Sequence, residues 1–249
     1  MWFHTSLSLL FGSALLPSPV VTASINKRNI SLPVDFGMVV FPSFEAIDVF
    51  GPLEVFNLAS LSSIRANLFI IAPTLDPVST KPQVMNTTGS NFGQSIVPTH
   101  TFDNPPENLD VLFVPGGIGT RSLNTTQSVV EFIKRTYPRV DYLVTGCTGS
   151  SLVARTGILD GRRATGNKRS WAFVTSQGPK VKWVPSARWV VDGNIWSSSG
   201  VSAFIDVTFA WLEAIFGSDI AVSTANGMEY ERHTDPSWDP YSDLYGLNG

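Results

Sequence analysis

The stretch Tyr142-Leu143-Val144-Thr145-Gly146-Cys147-Thr148-Gly149-Ser150 places a cysteine between a buried strand and a helix. An apolar, β-branched run ends at Gly146, and small residues at helical spacing begin after Cys147. Glycines on both sides of the thiol allow the chain to turn sharply and bring the helix against the sheet. A strand, a turn with a nucleophile and a helix, in this order, are typical of a nucleophile elbow.

Cys147 is the only cysteine in the 249 residues, which excludes disulfides, thiolate zinc sites and CxxC redox chemistry. Free N–H groups and peptide dipoles at the start of a helix favour a thiolate at this position. A lone cysteine is, however, more often a small buried apolar side chain. The surrounding sequence therefore has to decide whether this thiol is functional.

Length and composition indicate one medium-sized α/β domain with enough chain to bury a substantial core. The net charge is −3, and the lysines and arginines are scattered, so no basic patch points to nucleic acid. His4, His100 and His233 are far apart in the sequence, which makes a histidine-rich metal site improbable.

Residues 1–23 are typical of a secretory signal peptide, with a short apolar run that ends in Val21-Thr22-Ala23. We expect cleavage after Ala23. The segment is too short for a stable membrane span and is interrupted by Pro17 and Pro19.

Three Asn-X-Ser/Thr sequons, at Asn29, Asn86 and Asn124, agree with entry into the secretory pathway. The sequence thus predicts a secreted glycoprotein. A free cysteine is unusual in an oxidising compartment, which favours a protected or functional thiol.

Strands alternate with helices along residues 34–232, which predicts one domain with a mostly parallel sheet and helices on both faces. The predicted strands cover 34–41, 68–72, 110–114 and 142–145, with an extended pair at 188–192 and 194–199. The predicted helices cover 46–59, kinked or broken at Gly51-Pro52, then 127–136, 148–156, 170–177 and 201–216. Short hairpins are expected within 77–102.

Residues 233–249 form an acidic, aromatic tail. Trp238, Tyr241 and Tyr245 predict a strap that packs over the domain rather than a peptide-binding motif.

Ligands in such sheets bind at the carboxyl ends of the strands, where both Pro115-Gly116-Gly117 and Cys147 are expected. Backbone N–H groups of Gly116, Gly117, Thr148 and Gly149 are candidates to stabilise an anion or a developing negative charge.

No histidine lies in an obvious position to form a Cys–His dyad, although His100 could reach the sheet edge. The alternative partners are Asp48 and Glu54, which follow the first strand. Because they are six residues apart, at most one faces the site, and Asp48 could equally complement a helix N-terminus.

These strings together resemble the ThiJ/PfpI superfamily of class I glutamine amidotransferase-like domains, and within it the isocyanide (isonitrile) hydratase branch with its fungal relatives. The resemblance covers nearly all of the chain after the leader, in order. It is carried by Phe41-Pro42, Ile47-Asp48, Gly51-Pro52-Leu53-Glu54-Val55-Phe56, Leu109-Asp110-Val111, Pro115-Gly116-Gly117, Cys147-Thr148-Gly149-Ser150, Gly157-Ile158-Leu159-Asp160-Gly161-Arg162-Arg163-Ala164-Thr165, Val190-Val191-Asp192-Gly193-Asn194 and Ser199-Gly200-Val201-Ser202-Ala203-Phe204-Ile205-Asp206.

The resemblance implies a flavodoxin-like α/β sandwich that forms a homodimer and uses no metal or organic cofactor. It implies that Cys147 is the nucleophile, that Asp48 is its acidic partner, and that Gly117 and Thr148 supply backbone donors. Gly116 and Glu54 are candidates for supporting roles.

Two positions depart from the family pattern. Many relatives carry a His-Trp pair after an Ala-Thr-Thr string, and Ala164-Thr165-Gly166-Asn167-Lys168-Arg169-Ser170-Trp171 lacks that histidine. Gly146 also stands where the hydratases often have a larger residue. Both departures concern the identity of the substrate rather than the fold.

The function that the resemblance implies is a lyase that hydrates an isocyanide to an N-substituted formamide. One alternative is a glutathione-independent glyoxalase-like thiol enzyme. Another is a ligand-binding or redox-sensing module without catalysis, since a fold does not fix a function.

Overall fold

The central strands are continuous apolar runs because both faces of the sheet are covered. In the computed structural model, which describes residues 31–247, the central strands have almost no exposed side chain. The predicted leader and the sequon at Asn29 lie outside the described residues.

The described chain contains short and long strands in the following order. They are β1 (Asp35–Val39), β2 (Asn67–Ala72), β3 (Val78–Ser79), β4 (Ser95–Ile96), β5 (His100–Thr101), β6 (Val111–Val114), β7 (Tyr142–Thr145), β8 (Arg163–Ala164), β9 (Lys182–Trp183), β10 (Trp189–Asp192) and β11 (Ile195–Ser198).

Helices occupy most of the connections. They are α1 (Ala46–Ser62), α2 (Gln127–Thr136), α3 (Gly149–Arg155), α4 (Trp171–Ser176), α5 (Val201–Phe216), α6 (Ser218–Gly227) and α7 (Pro240–Leu244), with 3₁₀ turns at Ile118–Arg121 and Tyr137–Arg139. None of these helices within the described residues is long and apolar enough to cross a membrane.

Seven strands form the central sheet in the order β10-β11-β7-β6-β1-β2-β5. All neighbours are parallel except β10 and β11, which form the predicted antiparallel pair around Asp192-Gly193. The inner order is that of a flavodoxin-like sheet, so the predicted fold class is confirmed. Successive connections leave in opposite directions from β1 and β6, and this opens a crevice at their carboxyl ends.

Helix α1 runs through Gly51 and Pro52 without the break that these residues suggest. The cause lies in packing against α5, because a Cβ on Gly51 would lie 2.8 Å from Ile205 Cγ1. The absent side chain lets the two helices approach closely, and burial of this face outweighs the hydrogen bond that proline cannot donate.

The region between β2 and β6 forms a hairpin only in part. Strands β3 and β4 pair antiparallel as a separate two-stranded sheet, whereas β5 joins the central sheet as a parallel edge strand. The same stretch therefore contributes both a small hairpin and the edge of the main sheet.

The C-terminal strap, residues 233–247, lies against the domain through specific polar contacts. The backbone N–H of Arg188 donates to Pro236 O at 2.8 Å, and the Trp238 ring centroid lies 5.4 Å from the guanidinium carbon of Arg188. Trp238 also stacks on His233, with ring centroids 4.4 Å apart.

A buried ion pair fixes the strap further along. Lys168 Nζ lies 3.3 Å from Asp239 Oδ2, and both side chains are excluded from solvent. Burial lowers the pKa of Lys168 to about 8, although the charge of Asp239 opposes the shift. Lys168 also donates to Thr165 Oγ1 and to Ala187 O, so its ammonium group is enclosed by acceptors.

We predict that Asp239→Asn lowers the free energy of unfolding by about 3 kcal/mol, because it leaves the buried Lys168 ammonium without its counter-charge. The double variant Lys168→Met/Asp239→Leu should cost less, since no unpaired charge remains buried. Urea denaturation monitored by circular dichroism measures both values. Glu107→Gln, at an exposed carboxylate, is the control and should change nothing. A double variant less stable than Asp239→Asn would contradict the prediction.

Candidate active site

The crevice at the carboxyl ends of β1, β6 and β7 contains a cavity of about 660 Å³. Its floor holds Cys147 and Thr148 from the turn after β7 and Gly117 from the turn after β6. Residues from the Asn167–Ser170 loop, the start of α5 and the C-terminal strap complete the walls. The position agrees with the switch-point rule for open α/β sheets.

Cys147 occupies the elbow between β7 and α3 with a left-handed backbone, φ 56°. This conformation costs an L-residue about 1–2 kcal/mol and needs support from its surroundings. The support comes from two backbone hydrogen bonds: Cys147 N donates to Ser199 O at 2.8 Å, and Cys147 O accepts from Asn167 N at 3.1 Å. The sharp turn that the sequence predicts is thus present and held on both sides.

Gly146 is required by packing beneath the elbow. A Cβ at this position would lie 2.3 Å from Cγ of Phe204, a fully buried residue of α5. The ring of Phe204 therefore fills the space that a larger residue at position 146 would occupy.

Asp48 is the third residue of α1, and its side chain points away from solvent toward the strand-end turns. Its Oδ2 accepts a hydrogen bond from Gly116 N at 2.8 Å, and its carboxyl group interacts with the Cys147 thiol. Oδ1 has no N–H or O–H partner among residues 31–247. Burial raises the pKa of Asp48 to about 8 against the effect of the Gly116 bond, so the carboxyl group carries a proton at neutral pH.

The thiol of Cys147 is also neutral at rest. Burial raises its pKa well above the ordinary value, and Asp48 raises it further at a pH where the carboxyl group is ionised. The N–H of Thr148 and the amide of Asn167 oppose these effects without cancelling them. A resting thiolate at the helix N-terminus, as the sequence suggests, is therefore not what the structure favours, because desolvation outweighs the helix dipole.

Asn167 is the functional neighbour that sequence reasoning missed. Its Nδ2 lies 3.2 Å from Cys147 Sγ, and its Oδ1 accepts from Ser170 N at 2.9 Å, which fixes the orientation of the amide. The clue in the sequence was the segment 164–171, which lacks the family histidine. In the structure, the side-chain amide of Asn167 in this segment contacts the thiol.

All three predicted glycine donors are already engaged, and Gly149 N donates to Gly146 O at 2.8 Å. Gly116 N donates to Asp48, and Gly117 N donates to Thr148 Oγ1 at 2.9 Å. Gly117 has φ 136°, and a Cβ there would lie 2.4 Å from Glu45 N, so its role is to let the two turns meet. The N–H of Thr148 is the predicted donor that faces the thiol.

Of Asp48 and Glu54, only Asp48 lies at the thiol, in keeping with the expectation that at most one of them faces the site. Glu54 is exposed on α1 and accepts from Asn57 Nδ2 at 3.1 Å, so the structure does not bring it to the site. Glu45, the residue before α1, lines the cavity instead and is half-buried, which raises its pKa. No periodic pattern points to Glu45, because it precedes the helix.

Neither described histidine reaches the thiol. His100 lies on edge strand β5, four strands from β7 and thus roughly 19 Å away at about 4.8 Å per strand. His233 stacks on Trp238 in the strap. No cluster of three or more His, Cys, Asp or Glu within residues 31–247 is placed to hold a metal ion.

A protonated acid beside a thiol, with an amide donor on the sulfur, can perform two linked operations. The acid can protonate a substrate atom, and the thiol can then attack the neighbouring or the same atom while its proton passes to the carboxylate. Such a pair suits a substrate that must be protonated and attacked at one place.

The raised pKa of Asp48 predicts a specific pH dependence of stability. Between the usual carboxyl pKa of about 4 and about 8, the folded protein keeps a proton that the unfolded chain has released. The free energy of unfolding therefore falls across this window, by about 5 kcal/mol in total. Asp48→Asn, which imitates the neutral carboxyl group, should remove this fall and be more stable than wild type at pH 8.

Denaturant unfolding at intervals from pH 4.5 to pH 8 tests this dependence. Glu54→Gln removes an exposed carboxylate from the same helix and should keep the wild-type slope. An equal slope in Asp48→Asn and wild type would show that Asp48 is ionised in the folded protein.

The single thiol allows a second prediction to be tested without interference from other cysteines. The rate of alkylation by iodoacetamide should rise only above the ordinary thiol pKa of about 8.5, since burial and Asp48 disfavour the thiolate. Asp48→Asn should shift this rise to lower pH because one source of negative charge is gone. The urea-unfolded protein gives the unperturbed reference, and a folded protein that titrates below it would refute the prediction.

Comparisons with known proteins identify the family of this chain. The chain is 31% identical over 200 residues to an isonitrile hydratase from Pseudomonas putida, covering 80% of this chain and 79% of that protein. It is 31% identical over 121 residues to a deglycase from Pyrococcus horikoshii, covering 48% of this chain and 69% of that protein.

A crystal structure of a ThiJ/PfpI family protein from Pseudomonas syringae superimposes with a TM-score of 0.66 at 26% identity, over 93% of this chain and 92% of the other. Residues 37–214, which include most of β1, the elbow and most of α5, match the DJ-1/PfpI family. This agreement confirms the predicted superfamily, and the chain belongs to the DJ-1/PfpI family.

Proposed function

We propose that this protein hydrates an isocyanide to an N-substituted formamide, as a cysteine-dependent lyase. The observation that carries the proposal is the pairing of the Cys147 thiol with a buried, protonated Asp48, with no imidazole from residues 31–247 beside them. The similarity to an isonitrile hydratase over most of both chains supports it. Within the family we place the chain in the isonitrile hydratase branch, in its fungal type.

The terminal carbon of an isocyanide carries a lone pair and is also electrophilic, so it needs both a proton and a nucleophile. In the proposed first step, the carboxyl group of Asp48 donates its proton to this carbon while Cys147 Sγ forms a bond to it. The thiol proton passes to the carboxylate that Asp48 leaves behind. The product is a thioimidate, and Asp48 is protonated again.

In the second step, water adds to the thioimidate carbon, and one water proton ends on the imine nitrogen. The carbon–sulfur bond then breaks, the remaining hydroxyl proton returns to sulfur, and the formamide leaves. Atoms balance over the cycle, because isocyanide and water give formamide and regenerate the thiol. Asn167 Nδ2 stabilises negative charge on sulfur in both steps from 3.2 Å.

The alternatives receive less support. A glyoxalase-like enzyme of this type pairs its cysteine with a histidine, and here Asn167 contacts the sulfur. A redox sensor needs an accessible thiol of low pKa, whereas Cys147 is buried and its pKa is raised.

We also propose that the protein is a homodimer and is secreted with glycans on its sequons. Asn124 is exposed in a turn before α2. Asn86 is partly buried, and its side chain bonds to the backbone of Ser90, which leaves one amide hydrogen for modification.

Formamide production from an aryl isocyanide, followed by proton NMR, tests the proposed activity. Cys147→Ala should abolish the reaction, and Asp48→Asn should lower kcat/KM by about 10²–10⁴ because the general acid is lost. Glu54→Gln, on the same helix but exposed, should stay within about twofold of wild type.

Undiminished turnover by Cys147→Ala would refute the thioimidate mechanism. Methylglyoxal is assayed alongside, and formation of lactate without formamide would favour the glyoxalase-like alternative.

A further inference from the structure

Four cationic side chains line the active-site cavity, and two of them are neutralised inside the protein. Lys168 pairs with Asp239 of the strap. Arg188 donates from Nε and Nη2 to Asp206 Oδ2, at 2.8 and 2.6 Å. These two ion pairs stabilise the wall of the cavity. Because each cation is neutralised by its carboxylate, neither offers an unpaired positive charge to a ligand.

The other two, Arg121 and Arg169, form no ion pair with any carboxylate of residues 31–247. Arg121 is partly buried, whereas Arg169 is exposed at the cavity. Both belong to segments that surround the thiol: Arg121 ends the 3₁₀ turn after β6, and Arg169 lies two residues after Asn167.

Arg121 is held in place although no anion accompanies it. Its Nη2 donates to Ser170 Oγ at 3.0 Å, and its guanidinium carbon lies 4.6 Å from the centroid of the Phe173 ring. These contacts use one donor edge and one face of the guanidinium group. The remaining N–H groups of a guanidinium fork match a carboxylate in geometry and charge.

A fixed arrangement of hydrogen bonds relates this guanidinium to the reacting sulfur. Arg121 donates to Ser170, Ser170 N donates to Asn167 Oδ1, and Asn167 Nδ2 donates to Cys147 Sγ. This short series of hydrogen bonds places the Arg121 guanidinium near the thiol. The cavity of about 660 Å³ can hold a molecule much larger than an isocyanide group.

We propose that the cavity selects isocyanides that carry an anionic substituent, such as a carboxylate, which Arg121 and Arg169 bind while the isocyanide carbon faces Cys147. The inference rests on the proposed hydratase function for its reaction and on the unpaired arginines for its specificity. A bound carboxylate supplies the counter-charge that Arg121 and Arg169 lack within the described chain.

A matched pair of substrates tests the selection: 4-isocyanobenzoate and its methyl ester, which differ in charge at the far end of the ring. We expect wild type to prefer the carboxylate by about tenfold or more in KM, with kcat similar for both. Arg169→Gln and Arg121→Gln should each raise KM for the carboxylate more than KM for the ester, which removes the preference. Arg139→Gln removes an exposed arginine just before β7, at the opposite end of the sheet, and is the control.

Binding measured without turnover separates this inference from the proposed function. Calorimetric titration of the Cys147→Ala protein uses 4-formamidobenzoate and its methyl ester as probes. Tighter binding of the carboxylate, lost in Cys147→Ala/Arg169→Gln, supports the selection even if no isocyanide is hydrated, in which case only the proposed function fails. Equal binding of the two probes, or equal KM values for the two substrates, overturns the selection even where hydration is observed.

Discussion

The hydrogen bond from Gly116 N to Asp48 Oδ2 is the contact on which the active site depends. It joins α1 to the turn after β6, and the same glycine accepts from Glu45 N at 2.9 Å through its carbonyl oxygen. The two segments therefore meet at one residue, Gly116. Because only one oxygen of Asp48 is used in this contact, the other, which has no hydrogen-bond partner among residues 31–247, remains as the place for a proton.

Burial gives this site its chemical character. Enclosure raises the pKa of both Asp48 and Cys147, so the resting pair is an acid beside a thiol rather than a carboxylate beside a thiolate. A preformed thiolate suits attack on any accessible electrophile. A neutral pair becomes reactive only when a substrate accepts the proton of the acid, which restricts reaction to compounds that combine basicity and electrophilicity at one atom.

The C-terminal strap and the charges of the cavity belong to one arrangement. Asp239 and Asp206 compensate the two cations that structure the wall, and Tyr241 and Tyr245 of the strap line the opening. Arg121 and Arg169 are left without a carboxylate in the described chain. Asp239 of the strap therefore neutralises Lys168, so the strap affects which positive charges in the cavity remain unpaired.

The sequence by itself determined the order of the main strands and helices from β1 to α5, the elbow at Cys147 and the family, because apolar periodicity, glycine placement and motif spacing are local properties. Helices α6 and α7 and the short strands β8 and β9 were not predicted. The bounds of α2, β7 and α5 agree with those predicted from the pattern. Only the tertiary structure decided that α1 continues through Pro52, that Asn167 and Glu45 rather than Glu54 border the site, and that the thiol is neutral. Each of these depends on desolvation and contacts between segments distant in sequence, which no local pattern records.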